Sequence, residues 1–139
     1  MRTILVLGAG LSSDILIRYL EDHSSEYGWL LRVGDRDISL ASSKTHTDTQ
    51  VFGFDVNSVA SWEKEVVKAS MVISLLPARY HSTVARVCLK HGRSLMTASY
   101  ESAEMKEMGA EAERRGILLL SEMGVDPGID HMSAMKVID

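Results

Sequence analysis

The chain has 139 residues, of which 45% are hydrophobic and 24% charged, and its formal net charge is −4. This size predicts one domain, and the acidic balance without a long basic run argues against a nucleic-acid-binding surface. No apolar stretch approaches the roughly 20 residues of a membrane-spanning helix, so we expect no membrane insertion. The single cysteine, Cys88, cannot form an internal disulfide, which favours a reducing, cytoplasmic location.

Short apolar segments alternate along the chain with amphipathic segments of helical periodicity. The apolar segments predict strands at residues 3–7, 29–33, 50–54, 71–76, 94–98 and 117–121. The amphipathic segments predict helices at 11–23, 58–69, 81–91 and 102–116, with a weak helical pattern at 36–45. This alternation predicts an α/β fold with a mostly parallel six-stranded sheet and helices on both faces.

The segment VLGAGLSS joins the first predicted strand to the first predicted helix, where dinucleotide-binding folds carry G-x-G-x-x-G. Gly8 and Gly10 take the first two glycine positions, which make the tight turn and let the backbone approach a pyrophosphate. Ser13 takes the third, a packing position that needs a small residue. We expect the backbone N–H groups around Leu11, Ser12 and Ser13 to point at the pyrophosphate. The fold is therefore predicted to be Rossmann-type and doubly wound, with strand order 3-2-1-4-5-6.

An acidic residue at the end of the second strand is the second mark of such a site, and Asp35 stands there. Its carboxylate can accept hydrogen bonds from the adenosine ribose hydroxyls and would repel a 2′-phosphate. We therefore expect NAD to be preferred over NADP. The neighbouring Arg36 leaves NADP open, because a guanidinium can pair with a phosphate or stack on adenine.

The final segment, DPGIDHMSAMKVID, predicts a turn followed by a new helix. We therefore assign residues 1–128 to an NAD(P)-binding domain. Residues 129–139 are expected to start a connecting helix toward a substrate domain that this chain does not contain.

Four segments carry a family resemblance: ILVLGAGLSS (4–13), MVISLLPARYHSTVARVCLKHG (71–92), SLMTASYESAEM (94–105) and EMGVDPGIDHMSAMKVID (122–139). Together they resemble the saccharopine dehydrogenase family over essentially the whole chain. The resemblance is strongest to the lysine-degrading branch, which has an acidic residue where Asp35 stands, whereas the glutamate-forming fungal branch has an arginine-type NADP signature. It implies the reversible interconversion of saccharopine with glutamate and α-aminoadipate semialdehyde, with a nicotinamide cofactor exchanging the hydride.

These segments follow strand ends, and open parallel sheets bind ligands at the carboxyl edge of their strands. With the resemblance, this implies cofactor contacts at Gly8, Gly10, Leu11, Ser12, Ser13, Asp35, Arg36, Asp55, Val56, Leu75, Leu76, Pro77, Val125, Asp126 and Pro127. Ser74 is expected on the same pocket wall as Leu75, and His81 is expected to be structural.

The resemblance also implies substrate contacts at Ser99, Tyr100 and Asp126. Hydroxyls suit an amino-acid substrate, and a carboxylate can stabilise positive charge at its secondary amine. We assign no catalytic residue, because the sequence offers no nucleophile–base pair, and no metal ligand, because it has no metal-binding spacing.

Two alternatives stay open from the sequence. One is a carboxynorspermidine dehydrogenase-like reductase of polyamine metabolism, and the other is a non-catalytic NAD-binding or sensing domain. For the saccharopine dehydrogenase-like enzyme, we expect a small amino-acid substrate as the partner and a homodimer at full length. We expect this chain alone to bind dinucleotide weakly to moderately and to have little or no turnover.

Overall fold

The computed structural model describes residues 1–46 and 48–138, and its strands form one six-stranded parallel sheet. The strands are β1 (Arg2–Leu7), β2 (Trp29–Asp35), β3 (Gln50–Gly53), β4 (Met71–Ser74), β5 (Ser94–Thr97) and β6 (Leu119–Leu120). The helices are α1 (Asp14–Asp22), α2 (Ser24–Tyr27), α3 (Ile38–Ser43), α4 (Val59–Lys68), α5 (His81–His91), α6 (Ala103–Arg114) and α7 (Ile129–Ile138), with a 3-10 turn at Ala78–Tyr80. The strand order β3-β2-β1-β4-β5-β6 confirms the predicted doubly wound fold.

Strand β1 shows how one apolar segment serves both faces of the sheet. Leu5 and Leu7 pack into a core with Trp62 of α4. Val6, between them, packs into a second core with Ile17 of α1. Because successive side chains of a strand point to opposite faces, helices α1 and α3 cover one face and α4, α5 and α6 the other.

The start of α1 differs from the expected boundary at residue 11. The N–H of Ser13 donates to the carbonyl of Gly10 at 3.1 Å, so residues 11–13 form a turn and the helix begins at Asp14. Helix α3 forms where the periodicity is weak, because the Asp37 side chain caps its N-terminus by accepting from Leu40 N at 3.0 Å. Local hydrogen bonds set both boundaries.

Helix α7 follows the sheet and has no buried residue. The predicted connecting helix at 129–139 corresponds to it up to Ile138, and Asp139 lies outside the described residues. Within 1–46 and 48–138, no helix combines the length and apolarity needed to cross a bilayer.

Candidate functional site

The turn after β1 is built on a glycine that no other residue could replace without strain. Gly8 has a φ of 101°, and a Cβ there would lie 3.2 Å from the backbone carbonyl carbon of Leu75. Its N–H donates to Gly34 O at 2.8 Å, and Leu75 N donates to Leu7 O at 2.8 Å. Gly8 is thus fixed between the ends of β2 and β4, at the carboxyl edge of the sheet.

A cleft of about 260 Å³ opens at this edge. Of the residues assigned to the cofactor from sequence, the structure brings together on its walls Gly8, Gly10, Asp35, Arg36, Asp55, Val56, Leu75, Leu76 and Pro77. A Cβ at Gly10 would meet nothing within 4 Å. The backbone at this second glycine is therefore open to a close-lying group, which is what a pyrophosphate requires.

Both oxygens of the Asp35 carboxylate accept backbone hydrogen bonds. Oδ2 accepts from Ala9 N at 2.6 Å, and Oδ1 accepts from Asp37 N at 2.8 Å. The side chain therefore ties the glycine turn to the turn after β2 while it lines the cleft. A carboxylate oxygen has a second lone pair, so each can still accept a ribose hydroxyl.

The third position of the glycine motif has a different role from the expected one. Ser13 is 1% exposed, its Oγ donates to Gly10 O at 2.8 Å, and its N–H donates to the same carbonyl. Its N–H is thus engaged inside the turn and does not point freely at a pyrophosphate, which corrects that expectation. Leu11 and Ser12 are exposed and lie outside the cleft wall.

The segment after β6, assigned to cofactor binding from the sequence, lies outside the wall of this cleft, and its role in cofactor binding stays a prediction. Val125, Asp126 and Pro127 do not belong to the wall of the cleft among the described residues. Val125 instead lines a separate apolar groove with Ile15 of α1. The turn closes on itself: Gly124 N donates to Pro127 O at 3.0 Å. Met123 N also donates to the carbonyl of Thr97, the last residue of β5, at 3.0 Å, so the loop is bonded both to itself and to a strand end.

Two of the expected substrate residues do meet. The Tyr100 hydroxyl donates to Asp126 Oδ1 at 2.8 Å, joining the loops after β5 and β6. That hydrogen bond raises the pKa of Tyr100 above its ordinary value, with burial as the smaller contribution. The neutral phenol is stabilised beside a carboxylate, and because its one O–H is donated to Asp126, the pair offers a polar ligand the lone pairs of the phenol oxygen and a negative charge.

Ser99 is held by a buried histidine. His81, 3% exposed at the start of α5, contacts Ser99 Oγ through Nε2 at 2.9 Å and Ser74 Oγ through Nδ1 at 3.0 Å. Burial lowers the pKa of His81, which keeps its imidazole neutral. Ser74 is fully buried and does not line the cleft beside Leu75, contrary to expectation.

Four further residues line the cleft that the sequence analysis did not assign: Phe54, Asn57, Arg79 and Tyr80. Arg79 lies over the Tyr80 ring at 4.5 Å and also donates to its hydroxyl at 3.2 Å. All four follow the end of β3 or β4 within a few residues, and this position in the sequence could have identified them as cleft residues. Arg36 and Arg79 give the cleft two cationic side chains, which suit a phosphate-bearing ligand.

Comparisons with known proteins point to one family. The family model described as "Saccharopine dehydrogenase NADP binding domain" matches residues 4–120. The chain belongs to this family. The resemblance inferred from the sequence is thereby confirmed, as is a domain that binds a nicotinamide dinucleotide.

Individual relatives agree with the family model. The saccharopine dehydrogenase (NADP(+), L-glutamate-forming) of Schizosaccharomyces pombe is 35% identical over 100% of this chain and 31% of that protein. The mitochondrial alpha-aminoadipic semialdehyde synthase of Mus musculus is 33% identical over 99% of this chain and 15% of that protein. The apo saccharopine dehydrogenase (L-Glu forming) from Saccharomyces cerevisiae superposes with a TM-score of 0.82 at 26% identity, covering 100% of this chain and 31% of that one.

This chain therefore spans about a third or less of the length of these relatives. The description of the family and the name of the Schizosaccharomyces pombe relative both specify NADP, so they do not support the expected preference for NAD. They also give no support to the polyamine or NAD-sensing alternatives.

Proposed function

We propose that this chain is the cofactor-binding part of a nicotinamide-dependent oxidoreductase that acts on the C–N bond of saccharopine. The observation that carries the proposal is the cleft at the carboxyl edge of the sheet, where the Gly8–Gly10 turn, Asp35 and the ends of β3 and β4 converge. The family membership and the names of the relatives support the substrate.

The chain's own residues bind and orient the cofactor. Gly10 leaves the backbone open for the pyrophosphate, Asp35 accepts from the adenosine ribose, and Phe54 with Val56 provides apolar surface for adenine. Leu75, Leu76 and Pro77 continue the wall toward β4. The nicotinamide ring, when bound, accepts or supplies the hydride, and the protein contributes orientation and charge.

We propose that Ser99, Tyr100 and Asp126 contact the substrate. The Tyr100 hydroxyl and the Asp126 carboxylate can together face the secondary amine of saccharopine, where the negative charge stabilises a protonated nitrogen. His81 keeps the Ser99 hydroxyl in one orientation, since Nε2 engages it and Nδ1 is fixed by Ser74. The proton at the Tyr100 oxygen is retained because its pKa is raised.

We propose a preference for NAD on the geometry of Asp35. A carboxylate held at the ribose position by two backbone N–H groups cannot swing away to admit a 2′-phosphate. Arg36 on the same wall is the feature that favours NADP, in agreement with the names of the family and of its fungal relatives. The two residues oppose each other, so the ratio of the two affinities measures which of them dominates.

We further propose that the activity of the whole protein requires residues beyond this chain. Helix α7 exposes Met132 and Met135, which are three residues apart and share one helix face, and an exposed apolar pair of this kind suits packing against a further domain. This chain alone is then expected to bind cofactor with little turnover. A full-length protein is expected to work as a cytoplasmic homodimer, although the mouse relative carries a mitochondrial name.

The direct test has two parts. Binding of NADH and NADPH to this chain is measured by fluorescence titration, and saccharopine-dependent reduction of NAD and NADP is measured with the full-length protein. Binding and turnover with saccharopine support the proposal. Dinucleotide binding without saccharopine turnover in the full-length protein would remove the substrate while leaving the cofactor site intact. Tyr100→Phe and Asp126→Asn should lower turnover at least tenfold without weakening NADH or NADPH binding.

A further inference from the structure

A lysine lies behind the glycine turn, outside the wall of the cleft. Lys44 ends helix α3, and its Nζ donates to the carbonyl of Gly10 at 2.6 Å. The same Nζ lies 3.4 Å from Ser13 Oγ and 2.5 Å from Asp14 Oδ1. Its side chain is only 11% exposed, so the ammonium is fixed between α3 and the start of α1.

The carboxylate of Asp14, which pairs with this lysine, would repel a pyrophosphate bound at the start of α1. Asp14 is the first residue of α1 and the acidic residue of its first turn. A carboxylate there stabilises the helix through the helix dipole. A pyrophosphate that approaches the same helix N-terminus uses the same dipole and would be repelled by the carboxylate.

The Nζ atom of Lys44 reduces this repulsion between the Asp14 carboxylate and a pyrophosphate. Its ammonium cancels the charge of Asp14 through an ion pair, and it adds a third hydrogen bond to the Gly10 carbonyl, which already accepts from Ser13 N and Ser13 Oγ. The carbonyl of the second glycine is thereby held toward the start of α1. The chain remains open at Gly10, where a Cβ would meet nothing within 4 Å.

We propose that Lys44 is a positioning residue for the cofactor pyrophosphate, acting through Asp14 and the Gly10 carbonyl. This inference rests on the proposed cofactor site. It gives Ser13 a defined role as well: the serine hydroxyl, which a glycine would lack, bonds the Gly10 carbonyl within the same cluster.

Three variants of this chain test the charge relationship: Asp14→Asn, Lys44→Met and the double variant. Asp14→Asn leaves the positive charge of Lys44 without its carboxylate partner, so this variant should bind NADH and NADPH two- to fivefold more tightly. Lys44→Met leaves the negative charge of Asp14 without its ammonium partner, so this variant should bind the two dinucleotides about tenfold more weakly. The double variant should return to within about threefold of the unaltered chain, and raising the salt concentration should compress all three differences.

Two controls separate positioning from a structural role. Adenosine carries no phosphate, so its affinity, followed by NMR shift perturbation, should change less than twofold among the variants. Lys44→Arg retains the charge and should bind dinucleotide within about threefold of the unaltered chain. Thermal unfolding shows whether each variant is folded, and Asp14→Asn keeps the test decisive if Lys44→Met is not, because Asp14 is an exposed side chain.

The outcomes distinguish the two proposals. If the unaltered chain binds neither NADH nor NADPH, the cofactor site and the role of Lys44 both fall. If it binds while Lys44→Met binds equally well, or Asp14→Asn binds more weakly, the role of Lys44 is overturned and the cofactor site stands. An equal loss of dinucleotide and adenosine in Lys44→Met would likewise reduce Lys44 to a structural contact.

Discussion

The carboxylate of Asp35 accepts a hydrogen bond from the backbone N–H of Ala9 at 2.6 Å, across the carboxyl ends of β1 and β2. A residue expected to bind only the cofactor ribose therefore also fixes the glycine turn. Its other oxygen accepts from Asp37 N at 2.8 Å and orders the turn before α3. One side chain thus couples the proposed contact with the cofactor ribose to the stability of the glycine turn.

Asp35→Asn should therefore affect both properties. The asparagine amide places an N–H₂ group against one of the two backbone donors, which loses its partner. We expect the free energy of unfolding to fall by about 1–3 kcal/mol. We also expect NADH affinity to fall at least tenfold and the ratio of NADH to NADPH affinity to fall with it, because the charge that opposes a 2′-phosphate is gone. Urea unfolding and fluorescence titration measure the two effects.

The matched control is Asp22→Asn, which removes the same charge from an exposed position at the far end of α1. It should leave both quantities within about 0.5 kcal/mol and twofold of the unaltered chain. If the two variants behave alike, Asp35 is an ordinary turn residue.

Gly8 and Gly10 should respond to alanine in opposite ways. Alanine at Gly8 must adopt a φ near 101° with its Cβ 3.2 Å from the Leu75 backbone, so we expect about 1–3 kcal/mol of destabilisation. Among the described residues other than its chain neighbours, none has an atom within 4 Å of a Cβ at Gly10, so the Gly10→Ala variant should keep its stability. Its methyl group occupies the space of the pyrophosphate, and NADH and NADPH affinity should fall at least tenfold.

Thermal unfolding and dinucleotide titration of the two variants form a crossed design. Gly8→Ala should lower the midpoint of unfolding, while Gly10→Ala should lower only the affinity. A stable Gly10→Ala variant that binds dinucleotide as well as the unaltered chain would place the pyrophosphate elsewhere.

The sequence predicted the topology because β1, β2 and β4 are buried runs whose periodicity differs from that of the helices. It also predicted most of the cleft, since Asp35, Asp55 and Leu75 stand at strand ends, and strand ends of a parallel sheet share one edge. These inferences depend on order along the chain and on geometry common to the fold.

The residues that the sequence misplaced, and Lys44, which it did not single out, depend on contacts that no local pattern encodes. Lys44 donates to Gly10, 34 positions away in the sequence, and Ser74 contacts His81, seven positions away. Val125 lines a groove with Ile15 of α1, outside the cleft wall. The loop that carries it is bonded both to itself, through Gly124 N and Pro127 O, and to the end of β5, through Met123 N and Thr97 O. Side-chain reach and loop closure are tertiary properties, so a single sequence predicts them poorly.

His81 should make the stability of this chain depend on pH. Burial lowers its pKa in the folded state, whereas the unfolded chain has the ordinary value of about 6.5. Below that value the unfolded state binds more protons, so the free energy of unfolding decreases as the pH falls toward the folded pKa. Above it, the contribution of the neutral imidazole is fully present. Urea unfolding at pH 7.5 and 5.5 should show this loss.

His81→Gln serves as the reference, because its amide can contact Ser99 and does not titrate. The carboxylates are the same in both proteins and cancel in the comparison. The unaltered chain should lose more stability than the variant between the two pH values, and an equal loss in both would contradict a buried, neutral His81.

Cys88 should be chemically silent while the chain is folded. It is fully buried on α5, and burial raises the pKa of its thiol to about 12. At pH 8 only about 10⁻⁴ of such a thiol is the reactive thiolate. We expect negligible labelling by a thiol reagent such as DTNB over an hour in buffer, and complete labelling within minutes in 8 M urea. Rapid labelling without denaturant would contradict this prediction, because it would mean that the core around Cys88 opens locally far more often than its complete burial implies.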